Sequence, residues 1–498
     1  MKFVTPTSRL RSLGFLSFIF MAASLVCSAQ TYTTLFSFDQ TNGWEPLGIP
    51  AQGIDGNFYG TTIFGGTEGD QDGTAFKITP AGKQTVLHNF CSVSNCADGD
   101  DPFWGLTLAT DGNFYGTTSS GGANNVGGTV FKLTSAGKLT VLYNFCGSSD
   151  GECSDGNTPE GGVIQGIDGN FYGTTRDGGI SSICPAGSCG NVFKVTRTGT
   201  ETTLYNFCSQ TNCADGVFPT APLVQGTDGN FYGTTEGGSG NPNATIFKLT
   251  PAGKLTMLYT FGGTGLQQIS DVSGLIQATD GNFYGTSGRG GTNGNGIAFK
   301  ITPGGAFTTL YNFCSVFGCL DGADPFGGFI QGSDGNLYST TAEGGLNANG
   351  TNGGTIFKMT LSGTITTLYN FCSESNCADG DYPQAPPIQG TDGNFYGFAL
   401  GGIGNEPLYG VVYKLSTGLA PFIKFLPAGG KVGSEVGILG NNLTGATSVT
   451  FNGTAATFKV VSSTLITVNV PTGATTGILK VVTPSGTLSS VPAFHVIP

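Results

Sequence analysis

One block of sequence recurs seven times between residues 31 and 416, and this repetition restricts the fold more than any other feature of the chain. Each copy carries Asp-Gly-Asn-(Phe/Leu)-Tyr, and successive copies are 52 to 60 residues apart. A tandem repeat of this length predicts an array of similar units, because one such unit cannot bury its apolar face alone. The blocks begin at Asp55, Asp111, Asp168, Asp228, Asp280, Asp334 and Asp392.

Each unit is predicted to contain four short strands, A to D, separated by turn signals. Strand A is typified by Gly274–Gln277, and Asp-Gly-Asn then favours a tight hairpin turn. Strands B, C and D are typified by 113–118, 129–134 and 139–145. Many Gly, Thr, Phe and Tyr with few Lys, Glu and Met favour strands and turns over helices. Four-stranded units in tandem are typical of a β-propeller.

The two ends of the repeat region predict how the array closes. The seventh unit stops after strand C at Val412–Leu415, whereas a spare strand D opens the mature chain at residues 33–38. Pairing of these two strands would leave no sheet edge exposed. We therefore predict an all-β fold with a seven-bladed β-propeller, residues 30–416, closed by the N-terminal strand 31–38. A β-helix or an open solenoid is the alternative, although solenoids use atypical capping repeats.

Residues 1–29 carry the features of a secretory signal. Three basic residues precede an apolar run from Leu13 to Val26, and cleavage is expected after Ala29. Lipidation at Cys27 is the weaker alternative, because Val26 stands where a small residue is expected. No second apolar run follows, so we expect no membrane insertion after signal removal. We expect a secreted or cell-surface protein, with the periplasm as the alternative compartment.

The twelve cysteines that remain after cleavage form six close pairs. Five pairs have the spacing Cys-x4-Cys and one has Cys-x6-Cys. In an exported chain such local pairing predicts disulfides, while zinc sites favour tighter Cys-x2-Cys steps. The predicted disulfides are Cys91/Cys96, Cys146/Cys153, Cys184/Cys189, Cys208/Cys213, Cys314/Cys319 and Cys372/Cys377.

Charge and composition exclude several classes of function. The 32 acidic and 20 basic residues give a net charge of −12, so we expect no nucleic-acid partner. Two histidines leave little room for histidine catalysis or a histidine-rich metal site. No serine triad, nucleophile elbow or phosphate loop is present, so we assign no catalytic residue and leave the question of an enzyme open.

Hairpin alternation sorts the connections onto two ends of the sheets. Short A–B and C–D turns lie at one end, which we call the turn face, and B–C and D–A loops lie at the other, the loop face. All six cysteine pairs fall on the loop face, which is therefore the expected ligand surface. Its candidate ligand or calcium residues are Asp98, Asp100, Asp101, Asp155, Asp215, Asp321, Asp324, Asp379, Asp381, Trp44 and Trp104.

These candidates allow two interpretations each. The Asp-Gly-Asp loops could offer several oxygens to calcium, but no full calcium-loop pattern is present and Asp-Gly before Pro is ordinary turn chemistry. We therefore assign no metal and no cofactor, and calcium stays a hypothesis. The tryptophans would either stack on sugar rings or pack between blades. The repeated turn aspartates and strand-C lysines are interpreted as structural, as is His88 in a slot otherwise held by Tyr or Phe.

The block Asp-Gly-Asn-Phe-Tyr-Gly-Thr-Thr, followed by Val-Phe-Lys-Leu-Thr and Leu-Tyr-Asn-Phe, resembles the tandem repeat of the GloVer family of exported bacterial proteins. The resemblance covers residues 31–416 in all seven copies. It implies a secreted or surface location and no established reaction. Many members carry a C-terminal anchor, whereas this sequence ends without an apolar tail, so free secretion is expected.

The repeat gives way to a linker, residues 417–420, and then to a 78-residue segment of different character. Residues 421–498, with Val436–Gly440 and Val449–Gly453, resemble an IPT/TIG domain, an immunoglobulin-like β-sandwich. Alternation in Leu465–Val470 independently predicts a strand. Four lysines against one glutamate favour a spacer or a carbohydrate- or protein-facing module over DNA binding.

The leading functional hypothesis is an exported, non-catalytic binding or adhesion protein whose ligand is a carbohydrate or a protein. A polysaccharide-acting hydrolase or lyase is the first alternative, and it would need two carboxylates roughly 5–10 Å apart. Blade-specific acids or arginines that converge in the central mouth would favour this enzyme, whereas shallow aromatic and Asn/Gly loops would favour binding. A structural envelope component is the second alternative. The sequence predicts neither the ligand nor the oligomeric state.

Overall fold

The structure is a computed structural model that describes residues 1, 30–67, 72–123, 125–147, 153–180, 189–237, 243–262, 269–346, 353–401 and 409–497. The predicted signal segment lies outside these ranges except for Met1. Across the described ranges the chain is all-β, as predicted, with helical structure only in short 3₁₀ turns. None of the described helical turns is long and apolar enough to cross a membrane. The turns are Ser94–Cys96, Thr211–Cys213, Phe317–Cys319 and Ser375–Cys377.

In the described residues the repeat region forms seven four-stranded antiparallel sheets, one for each unit. The first strand of the chain is β1 (Thr31–Ser37), which belongs to the seventh sheet. Sheet 1 contains β2 (Ala51–Gln52), β3 (Phe58–Thr62), β4 (Thr74–Ile78) and β5 (Gln84–Asn89). Sheet 2 contains β6 (Thr107–Leu108), β7 (Phe114–Thr118), β8 (Thr129–Leu133) and β9 (Leu139–Asn144). Sheet 3 contains β10 (Val163–Gln165), β11 (Phe171–Thr175), β12 (Asn191–Val195) and β13 (Glu201–Asn206).

The remaining sheets repeat this order of strands A to D. Sheet 4 contains β14 (Val224–Gln225), β15 (Phe231–Thr235), β16 (Thr245–Leu249) and β17 (Leu255–Thr260). Sheet 5 contains β18 (Ile276–Gln277), β19 (Phe283–Ser287), β20 (Ile297–Ile301) and β21 (Phe307–Asn312). Sheet 6 contains β22 (Ile330–Gln331), β23 (Leu337–Thr341), β24 (Thr355–Met359) and β25 (Ile365–Asn370). Sheet 7 contains β26 (Ile388–Gln389), β27 (Phe395–Ala399), β28 (Val411–Ser416) and β1.

Strand β1 occupies in sheet 7 the position that strand D holds in the other sheets. It pairs antiparallel with β28, and Thr31 lies opposite Ser416. The Tyr32 ring stacks on Tyr369 of sheet 6 at a centroid distance of 3.8 Å. The N-terminal strand thus completes the sheet that the last repeat leaves one strand short, as the sequence predicted.

Aromatic stacking joins the sheets in a fixed order. Every residue of each strand B is buried, because neighbouring sheets cover both faces of the strand. The Tyr of each strand B packs against the first residue of strand B in the next sheet, and Tyr396 of sheet 7 stacks on Phe58 of sheet 1 at 3.9 Å. Tyr284 and Leu337 share one core cluster in place of a stacked pair. The other stacked pairs are Tyr59–Phe114, Tyr115–Phe171, Tyr172–Phe231, Tyr232–Phe283 and Tyr338–Phe395.

Glutamine side chains at the end of strand A form a second set of links, which we call the glutamine belt. Gln165 Oε1 accepts the backbone N–H of Thr110 in the A–B turn of sheet 2 at 2.9 Å. Gln52 accepts in the same way from Thr391 at 3.0 Å and so joins sheet 7 to sheet 1. In sheet 2 this position is Leu108, so the step between sheets 1 and 2 lacks a belt glutamine. The other belt glutamines are Gln225, Gln277, Gln331 and Gln389.

The C-terminal region forms two four-stranded sheets and one strand pair around a single apolar core in the described residues. One sheet has the order β29-β31-β35-β34, the other β33-β32-β36-β37, and β30 pairs parallel with β38. The core includes Val436, Val449, Phe451 and Val468. The strands are β29 (Lys424–Leu426), β30 (Gly429–Lys431), β31 (Glu435–Leu439), β32 (Ser448–Phe451), β33 (Thr454–Ala455), β34 (Phe458–Val460), β35 (Leu465–Asn469), β36 (Leu479–Thr483), β37 (Gly486–Ser489) and β38 (His495–Ile497).

The C-terminal region packs against the turn face near the junction of sheets 7, 1 and 2. Thr464 Oγ1 donates to the carbonyl of Ile54 in sheet 1 at 2.7 Å. The Phe422 N–H donates to the carbonyl of Thr391 in sheet 7 at 3.1 Å. Burial lowers the pKa of Lys424 to about 8, although the nearby charge of Asp392 opposes this shift. Within the described residues these contacts lie at the turn-face end of the strands, opposite the loop face.

Candidate functional site

Disulfides pin five loops on the loop face. Each joins two cysteines that follow strand D of the same sheet. Five of the six predicted disulfides are therefore present in the structure. Cys184 lies outside the described residues, so the sixth predicted pair, Cys184/Cys189, is not described there. The five disulfides are Cys91–Cys96, Cys146–Cys153, Cys208–Cys213, Cys314–Cys319 and Cys372–Cys377.

The pinned loops with five-residue spacing share one backbone path, which explains their choice of residues. The position before the second cysteine is left-handed, with φ of 59° at Asn95 and 76° at Gly318. Asn and Gly are the residues that adopt this conformation most readily. Asn212 and Asn376 hold the same position with φ of 58° and 57°.

An aspartate organises each pinned loop, and each of them except Asp155 is buried. Asp215 Oδ2 accepts hydrogen bonds from the Tyr205 hydroxyl at 2.8 Å and from Ser209 N and Oγ at 2.9 Å. Its Oδ1 accepts from Gln210 N at 3.2 Å. The predicted ligand residues Asp155, Asp321 and Asp379 likewise accept from the strand-D tyrosine and from loop N–H groups. The described bonds give these four carboxylates a role inside their own loops.

Asp98 has the same role in sheet 1, but its strand-D partner is a histidine. His88 Nε2 lies 3.0 Å from Asp98 Oδ2, and Ser92 Oγ donates to the same oxygen at 2.7 Å. Burial acts to raise the pKa of Asp98, but these hydrogen bonds outweigh it and hold the pKa below its usual value. His88, predicted as a packing variant, therefore also takes over the hydrogen bond that a tyrosine makes elsewhere.

The remaining acidic candidates occupy the inner part of the D–A loops. Burial, followed by the charges of Asp101 and Asp72, raises the pKa of Asp100 to about 6. The pKa of Asp101 is also raised by burial and by Asp72. Asp381 of the equivalent loop before sheet 7 is 3% exposed. Asp100 and Asp101 thus lie in a field of other acidic groups.

The two tryptophans lie beside neighbouring sheets. The Trp44 ring is 5.5 Å from Phe64 and 5.6 Å from Tyr409, so it packs in an aromatic group where sheets 1 and 7 meet. Trp104 holds a position that is Gly, Ala or Ser in the other six units, and its ring lies over Gly162 of sheet 3. Both side chains are half-buried. Packing between units thus accounts for part of the burial of each tryptophan ring.

A polar cluster that the sequence did not reveal surrounds Arg176, just after strand B of sheet 3. Arg176 Nε is 3.9 Å from Glu160 Oε2, and its guanidinium lies over the Phe218 ring of sheet 4 at 5.6 Å. Burial raises the pKa of Glu160 to about 7, with Arg176 opposing and the charges of Glu236 and Asp177 adding to the shift. A carboxyl group with this pKa can exchange a proton near neutral pH.

Glu236, which follows strand B of sheet 4, links the polar cluster around Arg176 to sheet 5. Thr220 Oγ1 donates to Glu236 Oε1 at 2.8 Å. Burial raises the pKa of Glu236, the charge of Asp271 in sheet 5 raises it further, and Arg176 opposes. The charged groups that shift the pKa of Glu236 therefore come from sheets 3 and 5.

The same band of side chains continues through sheets 5, 6 and 7. Arg289 Nε is 3.0 Å from Asp271 Oδ2, and the Tyr382 hydroxyl donates to Glu343 Oε1 at 2.8 Å. Burial and the charge of Glu343 raise the pKa of Asp324, and Arg289 opposes them. We call the whole band the loop-face cluster, and its members are Glu160, Arg176, Glu236, Asp271, Arg289, Asp324, Glu343 and Tyr382.

One backbone frame positions this cluster. In every unit a residue near the end of the D–A loop is left-handed, and in six units it precedes a proline. In the first six units its carbonyl accepts the N–H of a residue just beyond strand B, as Thr158 does from Arg176 at 2.9 Å and Phe218 from Glu236 at 3.1 Å. The side chain at this position varies between sheets, with five residue types in seven units, and this variation is the sequence signal that could have located the site. The seven residues are Glu45, Asp101, Thr158, Phe218, Asp271, Asp324 and Tyr382.

The chemistry of the cluster suits recognition of a polar ligand. Carboxylates accept hydrogen bonds from hydroxyl or ammonium groups, and the two guanidinium groups donate to oxygen atoms. Phe218 and Tyr382 add aromatic surface. Because the frame rests on buried strands, these groups are held without a large ordering cost on binding.

Comparison with known proteins places the chain in a family. Residues 21–225, 150–275 and 219–460 match the Gloeobacter/Verrucomicrobia repeat, and together these matches cover most of the chain. The chain belongs to this repeat family. No protein with a curated description matches the sequence significantly.

Two solved structures are similar to this chain at low sequence identity. A fungal alcohol oxidase of the AA5 family, in complex with copper, is 13% identical with a TM-score of 0.50, covering 94% of this chain and 99% of its own. The extracellular domain of a hybrid two-component system from Bacteroides thetaiotaomicron is 12% identical with a TM-score of 0.47, covering 95% of this chain and 60% of its own. At 13% identity, the similarity to the alcohol oxidase supports a statement about the fold alone.

Proposed function

We propose that this chain is an exported, non-catalytic binding protein whose residues 30–416 form a seven-bladed β-propeller. The proposal is supported by seven equivalent sheets that contact one another in cyclic order, since sheet 7 reaches sheet 1 through both Tyr396 and Gln52. The pairing of β1 with β28 supports closure of the ring. Residues 1–29 are its signal peptide and residues 417–420 its linker.

Residues 421–498 are proposed to be an IPT/TIG domain with an immunoglobulin-like sandwich. Two four-stranded sheets on one apolar core support this assignment. Because the domain packs on the turn face, it leaves the loop face accessible. The disulfides favour an oxidising location, so we propose secretion or display at the cell surface, with the periplasm as the alternative.

The ligand is proposed to be a carbohydrate or a protein that binds the loop-face cluster. The site of binding is proposed from the acids, arginines and tyrosine that five sheets bring to one face; because such convergence also favours an enzyme, the release or absence of product in the assay below decides between the two functions. A nucleic-acid ligand is disfavoured by the charge of −12. Membrane insertion is not part of the proposal.

The test is a pull-down of purified residues 30–498 on insoluble and immobilised polysaccharides, with a reducing-end assay of the supernatant. We expect binding to at least one polysaccharide without release of product. Absence of both signals would contradict a carbohydrate ligand and favour a protein partner or the structural envelope alternative.

Matched variants locate the binding surface. Glu236→Gln and Arg176→Ala are expected to weaken binding by roughly tenfold or more, because each removes a charged contact from the cluster. Glu201→Gln is the control: burial also raises the pKa of this carboxyl group to about 7, but it lies on strand β13 outside the cluster. Equal loss in all three variants would contradict binding at the loop-face cluster.

A polysaccharide-acting hydrolase or lyase is the second candidate function. The observation that favours it is the pair Glu160 and Glu236, two carboxyl groups with raised pKa beside one arginine. Such a pair can divide the roles of general acid and general base. Product in the reducing-end assay that disappears in Glu160→Gln would establish this function and overturn the non-catalytic proposal.

Calcium binding by the acidic loops is proposed for one place, the adjacent pair Asp100 and Asp101. Burial raises both pKa values, the charges of Asp101 and Asp72 add to the shift at Asp100, and the charge of Asp72 adds to it at Asp101, so a cation would relieve repulsion there. Titration with CaCl2 should then raise the melting temperature of the wild type but not that of Asp101→Asn. An unchanged wild-type melting temperature would contradict the hypothesis.

A further inference from the structure

Three cysteine sulfurs lie together where the pinned loop after sheet 3 meets strand C of the same sheet. Cys208 and Cys213 are joined by the disulfide of that loop. Cys189 lies just before strand β12, and its Sγ atom and the Sγ atoms of the other two cysteines are all within 4.8 Å of one another. All three side chains are buried. We call Cys189, Cys208 and Cys213 the sulfur cluster.

The register of the strands explains why Cys189 reaches this disulfide. Strands β12 and β13 continue their antiparallel pairing beyond their ends, since the Phe207 N–H donates to the Gly190 carbonyl at 3.1 Å. The next pair in this register is Cys189 and Cys208. Opposite residues of antiparallel strands have Cβ atoms about 4.5–5.5 Å apart, close to the roughly 3.5–4.5 Å that a disulfide spans. Cys208 therefore has sulfur on two sides, from Cys213 in its loop and from Cys189 across the ladder.

A cysteine at this position is peculiar to sheet 3 among the sheets with pinned loops. In sheet 6 the residue is Gly353, and a Cβ added there would lie 2.7 Å from Cys372 Cβ, so the position faces the first cysteine of the loop in that sheet too. The other pinned loops therefore have the same geometry but no third sulfur. The residues opposite their first cysteines are Asp72, Gly127, Asn295 and Gly353.

Cys189 is itself part of a disulfide. Its partner lies outside the described residues, and the sequence predicts Cys184 for it. A thiolate exchanges partners with a disulfide by attacking one of its sulfurs and displacing the other. If its own bond is reduced, Cys189 becomes a thiolate that has both sulfurs of the Cys208–Cys213 bond within 4.8 Å.

We propose that the sulfur cluster is a thiol–disulfide exchange site, in which Cys208 changes its partner from Cys213 to Cys189. An external dithiol first reduces the Cys189 disulfide and is itself oxidised to a disulfide. The Cys189 thiolate then attacks Cys208 Sγ, so that the Cys189–Cys208 bond forms and the Cys208–Cys213 bond breaks. The electron pair leaves on Cys213 Sγ, which takes up a proton. The exchange conserves the number of disulfides, and the net reaction oxidises one dithiol.

The exchange moves a crosslink beside the loop-face cluster. The Cys189 carbonyl accepts the Phe218 N–H at 3.0 Å, and the Phe218 carbonyl accepts the Glu236 N–H at 3.1 Å. A new bond at Cys189 ties strand C directly to strand D and releases the end of the loop at Cys213. The inference concerns the redox state of this backbone and does not depend on the ligand proposed above.

One variant tests the exchange without any reductant. Cys213→Ser leaves a thiol on Cys208, which can attack Cys189 Sγ and displace the predicted partner Cys184. Purified residues 30–498 are alkylated with N-ethylmaleimide, and peptide mapping by mass spectrometry without reduction then locates the label. We expect most of the label on Cys184, together with a Cys189–Cys208 bond.

Cys377→Ser is the matched control. It leaves a thiol on Cys372, which is as deeply buried as Cys208 but faces Gly353 instead of a third sulfur. Its label should therefore stay on Cys372. Label that stays on Cys208 in Cys213→Ser, or an intermolecular disulfide through Cys208, would overturn the proposal.

Limited reduction of the wild type tests the same step even where the variant does not fold. Dithiothreitol is added below one equivalent per disulfide at about pH 8, where thiolates form, and the products are alkylated and mapped. We expect a Cys189–Cys208 bond with label on Cys213, on the order of tenfold more than on Cys377, because the attacking thiolate is held in place.

Three results of this reduction would contradict the exchange. One is label on Cys189 beside an intact Cys208–Cys213 bond. Another is joint labelling of Cys208 and Cys213 without any new bond to Cys189, which would indicate simple reduction of the loop. The third is a Cys189 disulfide that resists the reductant, because the first step then fails.

Discussion

At the scale of single residues, the acidic loops separate into two kinds of aspartate that look alike in sequence. Asp215 and Asp379 are fully buried and bind their own loops, whereas Asp100 lies in a field of other acids. The donors to Asp215 are 5 to 10 positions away along the chain. Asp-Gly in the sequence does not specify which donors will reach the carboxylate, so the two roles could not be distinguished before the structure.

Asp215→Asn should destabilise the protein by about 1–3 kcal/mol. The substitution removes a buried negative charge and turns an NH2 group toward the donors of Tyr205 or Ser209. Thermal and urea unfolding measure the loss. Glu374→Gln is the control, because it places on the pinned loop after sheet 6 the residue that the pinned loop after sheet 3 carries as Gln210. A similar loss in both variants would contradict an organising role for Asp215.

His88 gives a second prediction at this scale. His88→Phe should cost about 1–2 kcal/mol, because Asp98 loses one donor while the apolar packing is kept. His88→Tyr should retain the wild-type stability, since a hydroxyl at this position bonds the loop aspartate in other sheets. Unfolding of the three proteins at neutral pH decides the matter, and equal stability of the Phe and Tyr variants would refute the hydrogen-bond role.

At the scale of strands and sheets, the sequence is most informative. Strand B and the Asp-Gly-Asn turn are encoded locally, because Asp55 binds Asn57 N at 3.1 Å and the Tyr59 hydroxyl at 2.7 Å within five residues. The closing strand was also predictable, since the last repeat lacks one strand. The loop-face cluster was not, because Glu160, Arg176 and Glu236 meet only when separate sheets are placed side by side.

Removal of residues 30–38 should expose the edge of β28 and lower the stability of sheet 7. Partial unfolding and aggregation are expected, because an open sheet edge pairs with other chains. A synthetic peptide of residues 30–38, added in trans, should restore the monomer and raise the melting temperature. A scrambled peptide is the control, and rescue by both peptides would contradict register-specific closure.

At the scale of the whole molecule, two pairs of carboxyl groups have opposite effects on how the free energy of unfolding changes with pH. The pKa values of Asp111 and Asp228 are about 2: burial acts to raise them, but hydrogen bonds from Lys132 and Lys248, respectively, outweigh it. Burial raises those of Glu160 and Glu201 to about 7. The first pair stabilises the fold above the unfolded-state pKa of about 4 and loses this effect as the pH falls toward 2. Glu160 and Glu201 lower the stability of the fold as the pH rises from about 4.5 to 7. In this range the unfolded chain releases the protons of these two groups, whereas the folded chain retains them.

The free energy of unfolding should therefore be largest at mildly acidic pH, between about 4 and 6, and should fall on both sides. Urea unfolding from pH 2 to 8 measures this profile. Glu160→Gln should flatten the decline between pH 5 and 7, whereas Glu374→Gln should leave it unchanged. A wild-type profile that rises steadily through pH 7 would contradict the burial of these carboxyl groups.

The pairing of Thr31 with Ser416 also sets an order of folding events. An exported chain emerges N-terminus first, so β1 leaves the membrane before any of its partners. It must wait until every repeat has been delivered, because β28 is the last strand of the array. Closure therefore has the highest contact order of any step and is slow. During that interval the waiting strand is open to pairing with a neighbouring chain, so the efficiency of secretion depends on how quickly the last repeat arrives.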